Sequence, residues 1–501
     1  MRTRRFAITA GLLTLGVWAG GCNFDITNTN QPTLDDLLTN PTRTKLSAAA
    51  TGLFASSRGG IQALIWRLGS MGREGVNLSG NNQPDFQEPY FGPVQAGGSF
   101  GGTLWIDRYA TIRTANVYLQ ALAVIDTLKL STDSLAASRG MANTLKALAF
   151  LYVIETRAQL GAPVDVGGPV NAPPAPFVSE DSVYGYIIAL LDSARADLGR
   201  ATAASAGFPF PRPPGFAGFD APATFALFNR ALAAKANVLR ATDATKCGGT
   251  PANCYTAALT ALGASFLDPA PASFPNGVFF DFSTGSGDTQ NGLSEPTNAL
   301  TFFALQDNFA DAQTQSGGQK DQRVLNKIVP AADTQIALLG SIPIPGELKF
   351  AVFMSCTQPG AVNCAADANH PIPIIRDEEL ILLDAEAQWF AGSKAQAIAD
   401  LNNVRANSGN LATAAPVTTG DLDSVFVKAL MYERRFSLLW EQGTRWIDAR
   451  RFGRLTDIPL DVPSGNVPSV MPVPKGECDA RNLTASEVIP DVVTCQPPLA
   501  P

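Results

Sequence analysis

The stretch that decides the fold runs from Arg376 to Leu455. It reads RDEELILLDAEAQWFAG from Arg376, KAQAIADLNNVRANSG from Lys394, and LDSVFVKALMYERRFSLLWEQGTRWIDARRFGRL from Leu422. Its periodicity predicts three consecutive amphipathic helices, the first two joined at Gly392-Ser393. In the second, Ala397, Ile398, Leu401 and Val404 share one face. In the third, Leu422, Phe426, Ala429, Glu433, Phe436 and Trp440 form one stripe of alternating four- and three-residue steps. Glu433 therefore stands where apolar side chains belong. A carboxylate there must be paired or protonated, because burying it alone costs several kcal/mol. Arg405, Arg434, Arg435, Arg445, Arg450 and Arg451 are close at hand, with Glu441 and Asp448 as further acceptors. The residues predict a helical core locked by a Glu/Arg network whose role is structural.

Outward from this block, composition sets the bounds. The chain has 501 residues, enough for one large core or two smaller ones. Charged residues make up 16% and the net charge is -7, without long single-sign runs. That argues against a disordered tail and offers no basic patch for nucleic acid. The one histidine, His370, leaves little for the commonest metal sites and acid–base pairs. No metal or cofactor is expected.

The N-terminus carries Arg2, Arg4 and Arg5, an apolar run from Phe6 to Ala19, then Gly20-Gly21-Cys22. This pattern is a secretory signal over 1–21, too short to span a bilayer. A cysteine directly after small residues resembles a bacterial lipobox, which makes Cys22 the expected lipidation site; the plainer alternative is an ordinary signal with a stray thiol. Residues 22–40 read as a polar tether. Setting Cys22 aside leaves six cysteines, and their spacing favours three local bridges: Cys247 with Cys254, Cys356 with Cys364, and Cys478 with Cys495. An even set suits an oxidising compartment.

Along the rest of the chain, Asn40-Pro41 signals a helix start, and Trp105, Tyr109, Ile112, Asn116 and Leu119 mark another stripe. Asn116 is expected to be hydrogen-bonded in the core. The segment 141–159 is apolar nearly all round and should lie between neighbours. Ser179 restarts a helix, and further helical patterns follow to about residue 265. Taken in pairs of roughly 30–40 residues these helices match a tetratricopeptide-like repeat, stacking into a right-handed superhelix. Residues 266–375 read as loop-rich with a few short strands, and 456–501 as a proline-rich tail. The expectation is one mainly α domain over 41–501.

Two loops stand out. Residues 69–102 are rich in Gly, Asn and Pro with interleaved aromatics, and a loop so long is functional or disordered. Asn82, Asp85, Phe86, Tyr90 and Phe91 are the candidate ligand-binding residues there, aromatics to stack on a ligand and polar groups to read hydroxyls; the alternative is that the aromatics pin the loop to the core. The second loop is FPFPRPPGFAGFD, from Phe208 to Asp220. Gly97-Gly98-Ser99-Phe100-Gly101 fits a nucleophile elbow in letters only. Such an elbow needs a preceding strand and a histidine base, and His370 is the sole histidine, so the match reads as chance and no catalytic residue is assigned.

The C-terminal block resembles the signature of SusD/RagB-family lipoproteins. The resemblance is carried by Glu379, Leu382, Leu383, Ala385, Glu386 and Ala387; by Leu401, Asn402, Val404, Arg405 and Gly409; and by Glu433, Arg434, Arg435, Leu438, Glu441, Arg445, Trp446, Asp448, Arg450 and Arg451. Met471-Pro-Val-Pro resembles the family's M-P-I-P, while its usual ending rich in Asn and aromatics is missing. The resemblance implies a helical-repeat, non-enzymatic outer-membrane lipoprotein. Such proteins bind a nutrient, usually an oligosaccharide, and pass it to a SusC-type TonB-dependent transporter, the repeats docking on the transporter and the loops holding the ligand. The competing expectation is a helical-repeat scaffold for envelope assembly that takes no small ligand.

Overall fold

In the computed structural model the described residues are 34–79, 83–169, 171–201, 207–339, 342–357, 360–361, 363–412, 417–461, 465–485, 487–488, 492–495 and 499–500. Cys22, the signal segment and Asn82 lie outside them.

The protein is mainly α. Helices Arg43–Arg58, Thr103–Val124, Thr132–Arg157, Glu180–Arg200, Pro222–Ala241 and Pro251–Leu262 pack each on the next. The row does not end at Leu262. Asp377–Ala391 packs directly on Pro251–Leu262, and Lys394–Asn407 and Asp423–Ser437 continue the row. A tetratricopeptide-like array is thus assembled from two separated parts of the chain.

Local chemistry explains several boundaries. Ser179 caps Glu180–Arg200, its side chain accepting from the Ser182 amide. The first long helix starts later than Asn40-Pro41 suggests: Thr42 is the cap, accepting from the amide of Lys45, and Arg43 is the first helical residue. Thr132–Arg157 is buried without interruption from Thr144 to Arg157, as a helix between two neighbours must be. Asn116 is hydrogen-bonded, donating to the carbonyl of Val166 at 3.2 Å, but the pair is only part-buried and does not lie in the core.

The third C-terminal block is two helices. Asp423–Ser437 stops, the chain turns through Trp440 at a φ of 59°, and Thr444–Arg451 begins after Gly443. A Cβ at Gly443 would sit 2.0 Å from Leu68, so the turn and the packing both require glycine. Trp440 still closes the stripe from outside the helix, stacked 4.0 Å from Phe350 and fully buried.

Residues 263–376 hold more strand than expected. Ile328–Leu339 and Ile342–Phe350 form a long antiparallel hairpin, which joins Phe302–Ala304 and Gly75–Asn77 in a four-stranded sheet. Gly277–Phe280 pairs with Ile372–Arg376, bringing the chain back to the array. The tail returns across the molecule: Val492–Thr494 pairs in parallel with Val94–Gln95, and Leu499–Ala500 with Phe177–Val178. The three disulfides are the local ones, Cys247–Cys254, Cys356–Cys364 and Cys478–Cys495.

Candidate functional site

Two features invite a functional reading: the charge network in the C-terminal block and a cavity beneath the Pro/Phe loop.

Glu433 is buried, as its place on the stripe demands. Its carboxylate lies 2.7 Å from Arg323 and 3.1 Å from Arg405. Arg323 comes from the short helix Gln322–Lys327 and is held by Asp321 at 2.6 Å. Arg434 pairs with Asp448 at 2.7 Å, and Arg451 bridges Asp448 at 2.8 Å and Glu386 at 2.6 Å. Burial alone would raise the Asp448 carboxyl; the two guanidiniums outweigh it and hold it below the usual carboxylate range. Glu441 takes Arg376 at 2.9 Å and Lys327 at 2.8 Å. Deeper still, Lys235 sits 3.1 Å from Glu379 and 3.8 Å from Glu155. These pairs join helices from both parts of the chain. None is arranged as a nucleophile with its base.

The loop 69–102 is mostly ordered structure. The helix Ile61–Met71 runs into it, Gly75–Asn77 is a strand, and Gln83–Phe91 is a helix despite Pro89. Of the ligand candidates, Phe86 and Tyr90 lie in a small core with Val76, Leu78, Phe303 and Ile344. Tyr90 is fully buried under the Arg73 guanidinium, 4.1 Å from the ring centroid. Asp85 is buried 3.7 Å from Arg67. Phe91 alone of the described candidates keeps part of its surface. Phe86 and Tyr90, four apart on a helix, point to one side and are absorbed by the sheet, which turns the expected ligand face into core. Gly101 of the 97–101 motif has a structural reason. A Cβ at Gly101 would meet the Ala96 carbonyl at 2.3 Å, and the Gly101 carbonyl accepts from buried Arg157 at 2.6 Å. His370 packs edge-on against Phe353, with Nδ1 2.9 Å from the Pro371 carbonyl.

The Pro/Phe loop does shape a cavity, of about 320 Å³. Phe208, Phe210, Phe216 and Phe219 turn inward, and Phe216 packs edge-on to Phe54 at 5.0 Å. Phe54 and Phe216 form an apolar base. Arg58 and Arg212 stand on the walls, with Asp281 and Asp288 opposite. Arg58 donates to the Asp281 carbonyl and to Asp288, and Arg212 to the Phe210 carbonyl at 2.7 Å. Guanidinium donors and carboxylates beside an apolar base make a surface suited to polyhydroxylated ligands. Sequence reasoning picked the loop and missed Arg58 and Asp288, whose 230-residue separation left no local signal.

The fold defines the class: a helical-repeat protein with the fold of solved SusD-superfamily structures. A SusD-superfamily protein from Bacteroides vulgatus is similar over 87% of this chain and 97% of its own, with TM-score 0.62 at 13% identity. B. fragilis NanU is similar over 94% and 100%, with TM-score 0.63 at 14% identity. A SusD-superfamily protein from Parabacteroides distasonis is similar over 88% and 99%, with TM-score 0.63 at 16% identity. Residues 353–485 match the model of the SusD family. No curated protein matches it.

Proposed function

We propose that this protein is a surface lipoprotein of the outer membrane that binds a nutrient of the oligosaccharide class and delivers it, chemically unchanged, to a SusC-type TonB-dependent transporter. The observation that carries the reading is the SusD-family match over 353–485. Three disulfides suit an oxidising compartment. No helix among the described residues is long and apolar enough to cross a membrane, which leaves acylated Cys22 as the proposed anchor. The helical array presents the transporter-docking surface. The ligand sits in the cavity beneath the 207–220 loop, with Arg58, Arg212 and Asp288 reading hydroxyls; of the described candidates in the 69–102 region, Phe91 is the one with surface left to contribute.

Calorimetry with a panel of oligosaccharides is the test. One glycan should bind, and Arg58→Ala should weaken it about tenfold, the loss of one charge-assisted contact. The array itself favours a second reading, a scaffold for envelope assembly. That reading predicts no heat with any glycan and unchanged growth on glycans when the gene is deleted; both results together would displace the transport reading.

A further inference from the structure

Arg445, like Arg450, donates to a backbone carbonyl and forms no ion pair in the charge network. Arg323, Arg376, Arg405, Arg434 and Arg451 each meet a carboxylate. Arg445 is buried, and one nitrogen donates to the Arg73 carbonyl at 2.9 Å. Among the described residues no carboxylate lies within ion-pair distance of it. Burial first, and the nearby Arg435 guanidinium second, push it down to about 9; Glu74, Asp311 and Asp307 oppose this through space. One Glu74 oxygen accepts from the amide of Trp440 at 3.1 Å, and the other has no hydrogen-bond partner among the described residues.

The guanidinium lines a cavity of about 360 Å³ between Asp423–Ser437 and Thr444–Arg451. Five cationic side chains face two carboxylates there: Arg405, Lys428, Arg435, Arg445 and Arg454 against Glu433 and Asp457. Arg405 is matched by Glu433, Arg454 by Asp457, and Arg435 by Asp311 at 2.8 Å from outside the lining. Arg445 and exposed Lys428 have no carboxylate within ion-pair distance among the described residues. A desolvated cation without a partner is costly, so an anion entering this cavity gains more than it would at the surface. The remaining wall is apolar and aromatic, from Val425, Ala429 and the ring of Tyr432. The Tyr432 hydroxyl is spent on Asp321 and on the amide of Gln313.

We propose that this cavity binds a small organic acid, its acidic group held by Arg445 and Lys428 and its body laid against Val425, Ala429 and Tyr432. It shares no lining residue with the cavity beneath the 207–220 loop, and the proposal stands whether or not that loop takes a glycan.

Calorimetry on the purified full chain at low salt tests it, with galacturonate, succinate and sulfate as anions and galactose as the neutral counterpart of the first. At least one organic acid should bind and galactose should not. Lys428→Glu, an exposed change that spares the core, should weaken the acid about tenfold. Arg445→Gln should abolish binding and Arg445→Lys restore part of it. The proposal is overturned by silence from all three anions, by sulfate binding alone, by equal affinity for galactose and galacturonate, or by indifference to Lys428→Glu.

Discussion

Asp400 shows how a single side chain can tune this fold. It is buried on Lys394–Asn407, and burial first, then the facing carboxylate of Asp384, push it up to about 8. An unfolded aspartate titrates near ~4. The folded state therefore holds the extra proton between those values, and this group's stabilisation, complete below about 4, is lost as pH rises to about 8. Asp400→Asn keeps a donor toward Asp384 without an ionisable proton. It should raise stability at pH 8 by on the order of 1–3 kcal/mol and flatten the pH dependence of the thermal midpoint. At Glu433 the opposite holds. Glu433→Ala leaves Arg323 and Arg405 facing each other across a buried gap, and denaturant unfolding should report a loss of about 3–5 kcal/mol. The burial of Glu433 was legible from its place on the stripe. Its partner Arg323 was not, because it lies 110 residues upstream in a six-residue helix with no period of its own.

The elements divide along the same line. Helices such as Thr132–Arg157 and Asp377–Ala391 declare themselves, because a 3.6-residue period repeated over several turns has no rival explanation. The hairpin Ile328–Leu339/Ile342–Phe350 hides behind Pro330, Pro343, Pro345 and Gly346. Those residues read as loop. On a strand that projects past its neighbour they cost little, since few ladder bonds are needed there. Gln83–Phe91 hides for the same reason, with Pro89 in its last turn. Among the bridges, Cys478–Cys495 encloses the longest loop, with a separation of 17, and both cysteines are buried. Replacing the pair by serine should cost about 3 kcal/mol by loop-closure entropy. Amide exchange should then rise first in Val492–Thr494 and in Val94–Gln95, which pairs with it.

For the molecule as a whole, sequence reached the array and stopped at its closure. Tyr255 stacks on Phe390 at 5.0 Å across the gap left by residues 263–376, a neighbour relation that no periodicity can announce. The cavities were illegible for the same cause, since each gathers walls from distant segments. The inserted region should be separable from the array it interrupts. Shortening the hairpin by removing residues 332–346 takes out one core side chain among the described residues, Ile344, and should leave the helical circular dichroism intact. The accompanying fall in stability should stay near the ~2–5 kcal/mol expected for one large apolar group.

The join between Pro251–Leu262 and Asp377–Ala391 also fixes an order of events during synthesis. A polypeptide made N-terminus first leaves Tyr255 without Phe390 until over a hundred further residues have followed. Through that interval the nascent chain exposes an apolar face, and products truncated before Asp377 should be cleared by proteases.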